Sequence, residues 1–134
     1  MDLDDIESQL SEAVMQEDIS SIKRIAANDA YRRTGLIHGW LLLAASEGKG
    51  RSLEALLSNQ ADPNFQNSDG ETALTFAAAN DHLQIAKLLF DAGALVNHQD
   101  RSGATAADWA KHHASSSFQD WLKSIGGRCN LECD

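Results

Sequence analysis

The feature that most constrains this chain is a self-similarity at a spacing of 33 residues. A shift of 33 places Gly70 on Gly103, Thr72 on Thr105, Ala73 on Ala106 and Ala77 on Ala110. The same shift backwards places Asn97 on Asn64, Ala94 on Ala61, Leu89 on Leu56 and Ala77 on Ala44. The period runs without a gap from about position 34 into the C-terminal region. A more worn copy lies in "EAVMQEDISSIKRIAAND", where Ala13, Ile19, Ile22 and Ile25 match Ala77, Leu83, Ala86 and Leu89 at a shift of 64. That is two short of two full periods, so the join between Ala26 and Gly39 has lost two residues.

Each copy carries two short apolar helical patterns. In "GETALTFAAANDHLQIAKLLFDAGALVN" the first places Leu74, Ala77 and Ala78 on one face, and the second places Ile85, Leu88 and Leu89 on another, with Asn80-Asp81-His82 as the break between them. Thr72 is positioned to cap the first helix, and Gly93 to supply the positive φ that ends the second. Helices this short are marginal alone in water, so each must lean on its neighbour in the next copy. Stacking turns the separate apolar faces into one continuous core, and the alanines keep the first helices thin enough to approach closely.

The unit resembles the ankyrin repeat, whose pattern runs D-x-x-G-x-T-P-L-H-x-A-A, then G-H-x-x-I-V-x-L-L-L, then G-A-D-V-N. The third copy supplies "DGETALTFAAANDHLQIAKLLFDAGALVN" and the second "LLLAASEGKGRSLEALLSNQADPN". The resemblance implies an all-α repeat solenoid of helix-turn-helix units joined by β-hairpin-like loops. It would be a single domain over 1–126, with an N-terminal cap repeat at 1–33, repeats at 34–66 and 67–99, a C-terminal cap repeat at 100–126, and a flexible tail at 127–134. Ala73 and Ala106 replace the usual Pro, Asp81 replaces a Gly between helices, and Gln60 replaces the Gly that ends the second helix of copy two. A left-handed residue is costly for Gln, so that turn is expected to be remodelled. Trp40 and Leu36 fall in a worn hairpin, "GWLL", where they either fill the gap left by the deletion or present an aromatic anchor. At the ends, the acidic stretch 4–17 is expected to replace a hairpin, while Trp109, Phe118, Trp121 and Leu122 cover the last open face. Arg32 and Arg33 read as a basic handle or as neutralisers of the acidic cap.

The formal charge of -9 argues against nucleic acid, which is bound through clustered Lys and Arg, and favours a basic partner. Much of the charge is local: Asp2, Asp4, Asp5, Glu7, Glu12, Glu17 and Asp18 precede the first Lys or Arg. No apolar run approaches the ~18 residues of a membrane span, and an acidic start is unlike a signal peptide. A cytoplasmic protein that does not enter membranes is expected. Cys129 and Cys133 both lie near the C-terminus and cannot staple the body of the fold, so reduced thiols are expected.

No catalytic constellation emerges. "SEGKGRS" lacks the spacing of a phosphate loop, and neither Tyr31 nor the seryl run 115–117 has a paired base. Adjacent His112 and His113 point roughly 100° apart on a helix, which makes one ion hard to share. With Cys129 and Cys133 they define the rival reading, a zinc- or thiol-dependent activity at the C-terminal end. The expectation is no metal, no cofactor and no enzyme activity.

What the resemblance implies instead is a concave groove made by hairpin tips and exposed first-helix faces, through which such proteins bind other proteins. Matched position by position, copy two contributes Ser46 and Glu47. The next junction contributes Gln66, Ser68, Asp69, Glu71, Ala79 and Asn80. The one after it contributes Gln99, Arg101, Ser102, Ala104, His112 and His113. Glu47, Asp69 and Glu71 read as an acidic cluster suited to Lys or Arg on the partner. The chain is thus read as a binding module, monomeric when free. A narrower alternative is an inhibitor or immunity-type protein that covers the active site of a basic toxin or nuclease, and a third is a subunit that assembles through an open end of its stack.

Overall fold

The computed structural model describes residues 3–131. They form α1 (Leu3–Gln16), α2 (Ile19–Ala26), a single turn α3 (Asp29–Arg32), α4 (Ile37–Glu47), α5 (Gly50–Ser58), α6 (Ala73–Ala79), α7 (Leu83–Asp91), α8 (Ala106–His113) and α9 (Ser116–Ser124), with no strand among the described residues. The pairs α1/α2, α4/α5, α6/α7 and α8/α9 stack so that α1, α4, α6 and α8 form one row and α2, α5 and α7 a second. This is the all-α repeat stack that the periodicity predicts. Ala44, Ala45, Ala77, Ala78 and Ala110 are buried between the first-row helices, while Leu53, Leu56, Ile85 and Leu89 fill the space behind them. One buried cluster runs from Ile6 to Leu122.

The turns between paired helices explain why some copies dispense with glycine. Glu17, Gly48 and Asp81 occupy equivalent left-handed positions, with φ of 55°, 72° and 57°. The two acidic residues use their carboxylates across the stack. Glu17 Oε2 accepts the Arg51 N–H at 2.9 Å, and Asp81 Oδ1 accepts the Ser115 N–H at 3.0 Å. A charge-assisted bond to the start of the next copy's second helix offsets the backbone strain. At Gly48 no such exchange is open, because a Cβ would sit 2.9 Å from His82 Cε1. Gln60 also keeps its left-handed turn, at φ 72°, so the expected remodelling does not occur. Its Oε1 accepts from Arg32 Nη2 at 2.8 Å, which makes Arg32 an inter-repeat tie.

The N-terminal half departs from the hairpin plan. Helix α1 has 14 residues against 7 in α6, extending where a hairpin would lie. Asp4 and Asp5 stand in its first turn, where acids complement the helix dipole, and Ile6, Leu10, Ala13 and Val14 face the core. Asp2 lies outside the described residues. In copy two the period would start the first helix at Trp40, yet α4 begins at Ile37. The worn hairpin expected around Leu36 and Trp40 is absent: α3 and this longer helix stand in its place, and Gly39 lies where Thr72 and Thr105 cap. Trp40 is half-buried against the core, which makes it a gap filler, while Leu36 is exposed.

Candidate functional site

Two hairpins, at 64–72 and 97–105, precede α6 and α8. Asn67 closes the first: its Oδ1 accepts the N–H groups of Asp69 and Glu71, both at 3.0 Å, while its own N–H donates to Glu71 O at 3.0 Å. Asp100 closes the second, its Oδ1 accepting the N–H groups of Ser102 at 2.9 Å and Ala104 at 3.0 Å and the Ser102 hydroxyl at 2.6 Å. The remaining oxygen of Asp100 accepts the Trp109 indole N–H at 3.1 Å. Burial pushes this carboxyl up, but the bonds from Ser102, Trp109 and the loop amides outweigh it and hold it below the ordinary carboxylate range.

The hairpins are also tied to one another. Arg101 N–H donates to Asp69 O at 3.0 Å, and His98 Nε2 lies 2.9 Å from Gly70 O. Behind them a repeated asparagine stitches successive copies. Asn64 accepts the Leu95 N–H at 2.8 Å and donates to Gly93 O at 3.1 Å, and Asn97 accepts the Arg128 N–H at 2.8 Å and donates to Gly126 O at 3.0 Å. The hairpin backbones are therefore fixed, leaving side chains to vary.

Gln66, Ser68, Asp69, Gln99, Arg101 and Ser102 are exposed on these hairpins. Glu71 is half-buried and accepts from Asn67 Nδ2 at 3.0 Å, so it serves the hairpin as well as the surface. Glu47 and Asn80 lie at the far ends of α4 and α6, where Asn80 Nδ2 donates to Phe76 O at 2.9 Å and reaches Ser46 Oγ at 3.5 Å. Glu71 precedes the N-cap of α6, so that helix's 7 residues, about 10 Å, separate it from Glu47. Glu47, Asp69 and Glu71 therefore do not form one cluster.

At the C-terminal end the structure brings together Ser102, Ala104, His112 and His113 with three residues that the sequence reading did not assign to a site: Trp109, Asp108 and Leu131. They line a pocket of about 330 Å³. His113 stacks on the Trp109 ring, with centroids 5.8 Å apart. Trp109 thus lines this pocket and is only half-buried, unlike Phe118 and Leu122, which are buried as an end cover should be. Thr105 caps α8 in a reciprocal box with Asp108, a signal visible in the sequence as Thr-x-x-Asp.

Asp108 has a second role. Its Oδ2 accepts the Asn130 N–H at 2.8 Å and its Oδ1 the Leu131 N–H at 3.0 Å, while Thr105 Oγ1 donates to Arg128 O at 2.7 Å. Residues 128–131 therefore fold back onto α8, where the sequence reading has a flexible tail. Burial raises the Asp108 pKa, but the amides of Thr105, Asn130 and Leu131 overcome it and bring it down to about 2.

Among the described residues, no group of three His, Cys, Asp or Glu is placed to hold a metal ion. Cys129 is half-buried, and Cys133 lies outside the described residues. Tyr31 is fully buried, and burial pushes its phenol up to about 12, which leaves it a poor nucleophile at neutral pH. No described helix is long and apolar enough to cross a membrane.

Comparison with known proteins agrees with the geometry. The family model described as ankyrin repeats (3 copies) matches residues 41–131. The inactive serine/threonine-protein kinase TEX14 of Bos taurus is 32% identical over 109 residues, which is 80% of this chain and 7% of that protein. The chain thus spans a small fraction of that relative's length.

Proposed function

The chain belongs to the ankyrin-repeat family, and from that premise we propose that it is a non-enzymatic binding protein whose groove receives a basic protein partner. Ankyrin repeats are in general protein–protein interaction modules. The observation that carries the reading is the pair of hairpins closed by Asn67 and Asp100 and tied together through Arg101 N–H and Asp69 O. A surface already ordered before binding does not lose loop entropy on association. The chain's charge of -9 and the acids along the groove would steer a basic partner and raise the association rate. The same charge supports the narrower reading of an inhibitor that covers a basic enzyme's substrate cleft.

The test is kinetic. A partner recovered from the source cell is immobilised, and association is followed at several ionic strengths for the parent and for Glu47→Lys/Asp69→Lys. Glu71 is left intact because it supports the hairpin through Asn67. The parent's association should slow markedly with salt, and the variant should associate more slowly with a shallower salt slope. Unchanged rates and slope in a folded variant would remove the groove from consideration.

A further inference from the structure

Most polar atoms around the C-terminal pocket are already bonded within the chain. Asp108 spends both oxygens on Thr105, Asn130 and Leu131, and the Ser102 hydroxyl and the Trp109 N–H both donate to Asp100. What remains for an occupant is the part of the half-buried Trp109 ring that His113, stacked on it, leaves open to the pocket, together with the exposed imidazoles of His112 and His113 and the exposed side chain of Leu131. A ligand that needed many direct hydrogen bonds from the walls would be left unsatisfied there.

The electrical environment selects further. The carboxylates of Asp100 and Asp108 lie beside the pocket, and no Lys or Arg is among its lining residues. His112 and His113 end α8, where the helix dipole is negative. The two carboxylates and the helix end disfavour an anion, and the neutral imidazoles of His112 and His113 do not oppose them. A purely apolar side chain would cover the walls but gain nothing from the field. A guanidinium is flat, weakly hydrated, always charged, and stacks on indole rings, so it can use both. We infer that this pocket receives an arginine side chain of the protein partner, stacked on Trp109 and drawn by the carboxylates of Asp100 and Asp108. The inference rests on the partner-binding reading above and names the residue type that the groove's C-terminal end selects.

The experiment uses the full chain labelled with nitrogen-15 and three acetylated, amidated peptides: Gly-Arg-Gly, Gly-Leu-Gly and Gly-Glu-Gly. The arginine peptide should shift the Trp109 indole resonance saturably, with the indoles of Trp40 and Trp121 serving as internal controls. The leucine and glutamate peptides should bind at least about tenfold more weakly. His113→Ala removes the imidazole stacked on Trp109 and leaves the Trp109–Asp100 bond in place, so it should change the arginine peptide's affinity, and Trp109→Leu should abolish the shifts that the peptide causes at the Leu131 amide. Equal or tighter binding of the leucine peptide, no shift of the Trp109 indole, or a shift insensitive to His113→Ala would overturn the inference. Kinetics with the whole partner separate the two levels. Loss of affinity in Glu47→Lys/Asp69→Lys with none in His113→Ala would overturn the pocket assignment and leave the groove standing.

Discussion

Positions 34, 67 and 100 are equivalent under the 33-residue period, and they carry Thr, Asn and Asp. At 67 and 100 a planar side chain accepts amide hydrogens from two and four residues ahead, and the backbone closes into a hairpin. At 34 the Thr hydroxyl reaches the Leu36 N–H at 3.1 Å but turns its own hydrogen back to Tyr31 O at 2.6 Å. It has no reach for the amide four residues ahead, and the chain runs on into α4. One side chain's length and acceptor geometry thus separates a half of the molecule that displays fixed hairpins from a half that braces the stack. The bracing half is tied in through the Ser52 hydroxyl, which donates to Val14 O at 2.7 Å, and through the Asp62 N–H, which donates to His38 Nδ1 at 2.9 Å.

The largest effects should be common to both halves. Leu89→Ala and its counterpart Ile25→Ala each open a cavity in the shared core and should cost about 2–5 kcal/mol. Because the core is continuous, each variant should unfold in one transition by calorimetry and by circular dichroism. Two transitions would mean that the halves are separate units.

The next contrast isolates the side chains that set the two halves apart. Asp100→Ala strands the amides of Ser102 and Ala104 and the Trp109 indole, and should cost about 2–4 kcal/mol in urea unfolding. Thr34→Ala removes a shorter set of contacts and should cost about 1 kcal/mol. Equal losses would break the comparison.

Acid should weaken the hairpin half through Asp108. The Asp108 carboxyl, at about 2 in the folded chain, lies below its unfolded value near 3.9. Its contribution is therefore complete above about pH 5 and is lost as pH falls through about 2. Asp108→Asn should be less stable at neutral pH and show a flatter acid limb. Amide exchange at Asn130 and Leu131 should quicken in that variant, and unchanged exchange would show that Asp108 does not hold this segment.

The smallest contrast compares two left-handed turns. Gly93, at φ 99°, has open space around a would-be Cβ, so Gly93→Ala carries only the conformational cost, about 1 kcal/mol. Gln60→Gly relieves the same strain but loses the bond from Arg32, and should stay within about 0.5 kcal/mol of the parent. A clear gain from Gln60→Gly would show that the Arg32 tie contributes nothing.

The stack was legible because Leu56, Leu89 and the alanine rows recur in phase, and phase is what a core shared between copies imposes. The exposed hairpin positions came from the ankyrin resemblance that this phase carries. The missing hairpin of copy two depended on how far Thr34 can reach, which spacing does not encode. The fold-back of residues 128–131 depended on two carboxylate oxygens of one capping residue finding amides 22 and 23 positions away. Thr-x-x-Asp announces the cap and says nothing of its second set of partners. Glu47 and Glu71 looked like neighbours until the length of α6 came between them.

Hydrogen exchange on the complex tests the central claim most directly. With the partner bound at saturation, the account predicts added protection at residues 66–71, 99–104 and 109–113, and little change in α5, α7 or the acidic helix α1. Protection concentrated on α1, or along α5 and α7 with the hairpins unaffected, would contradict it.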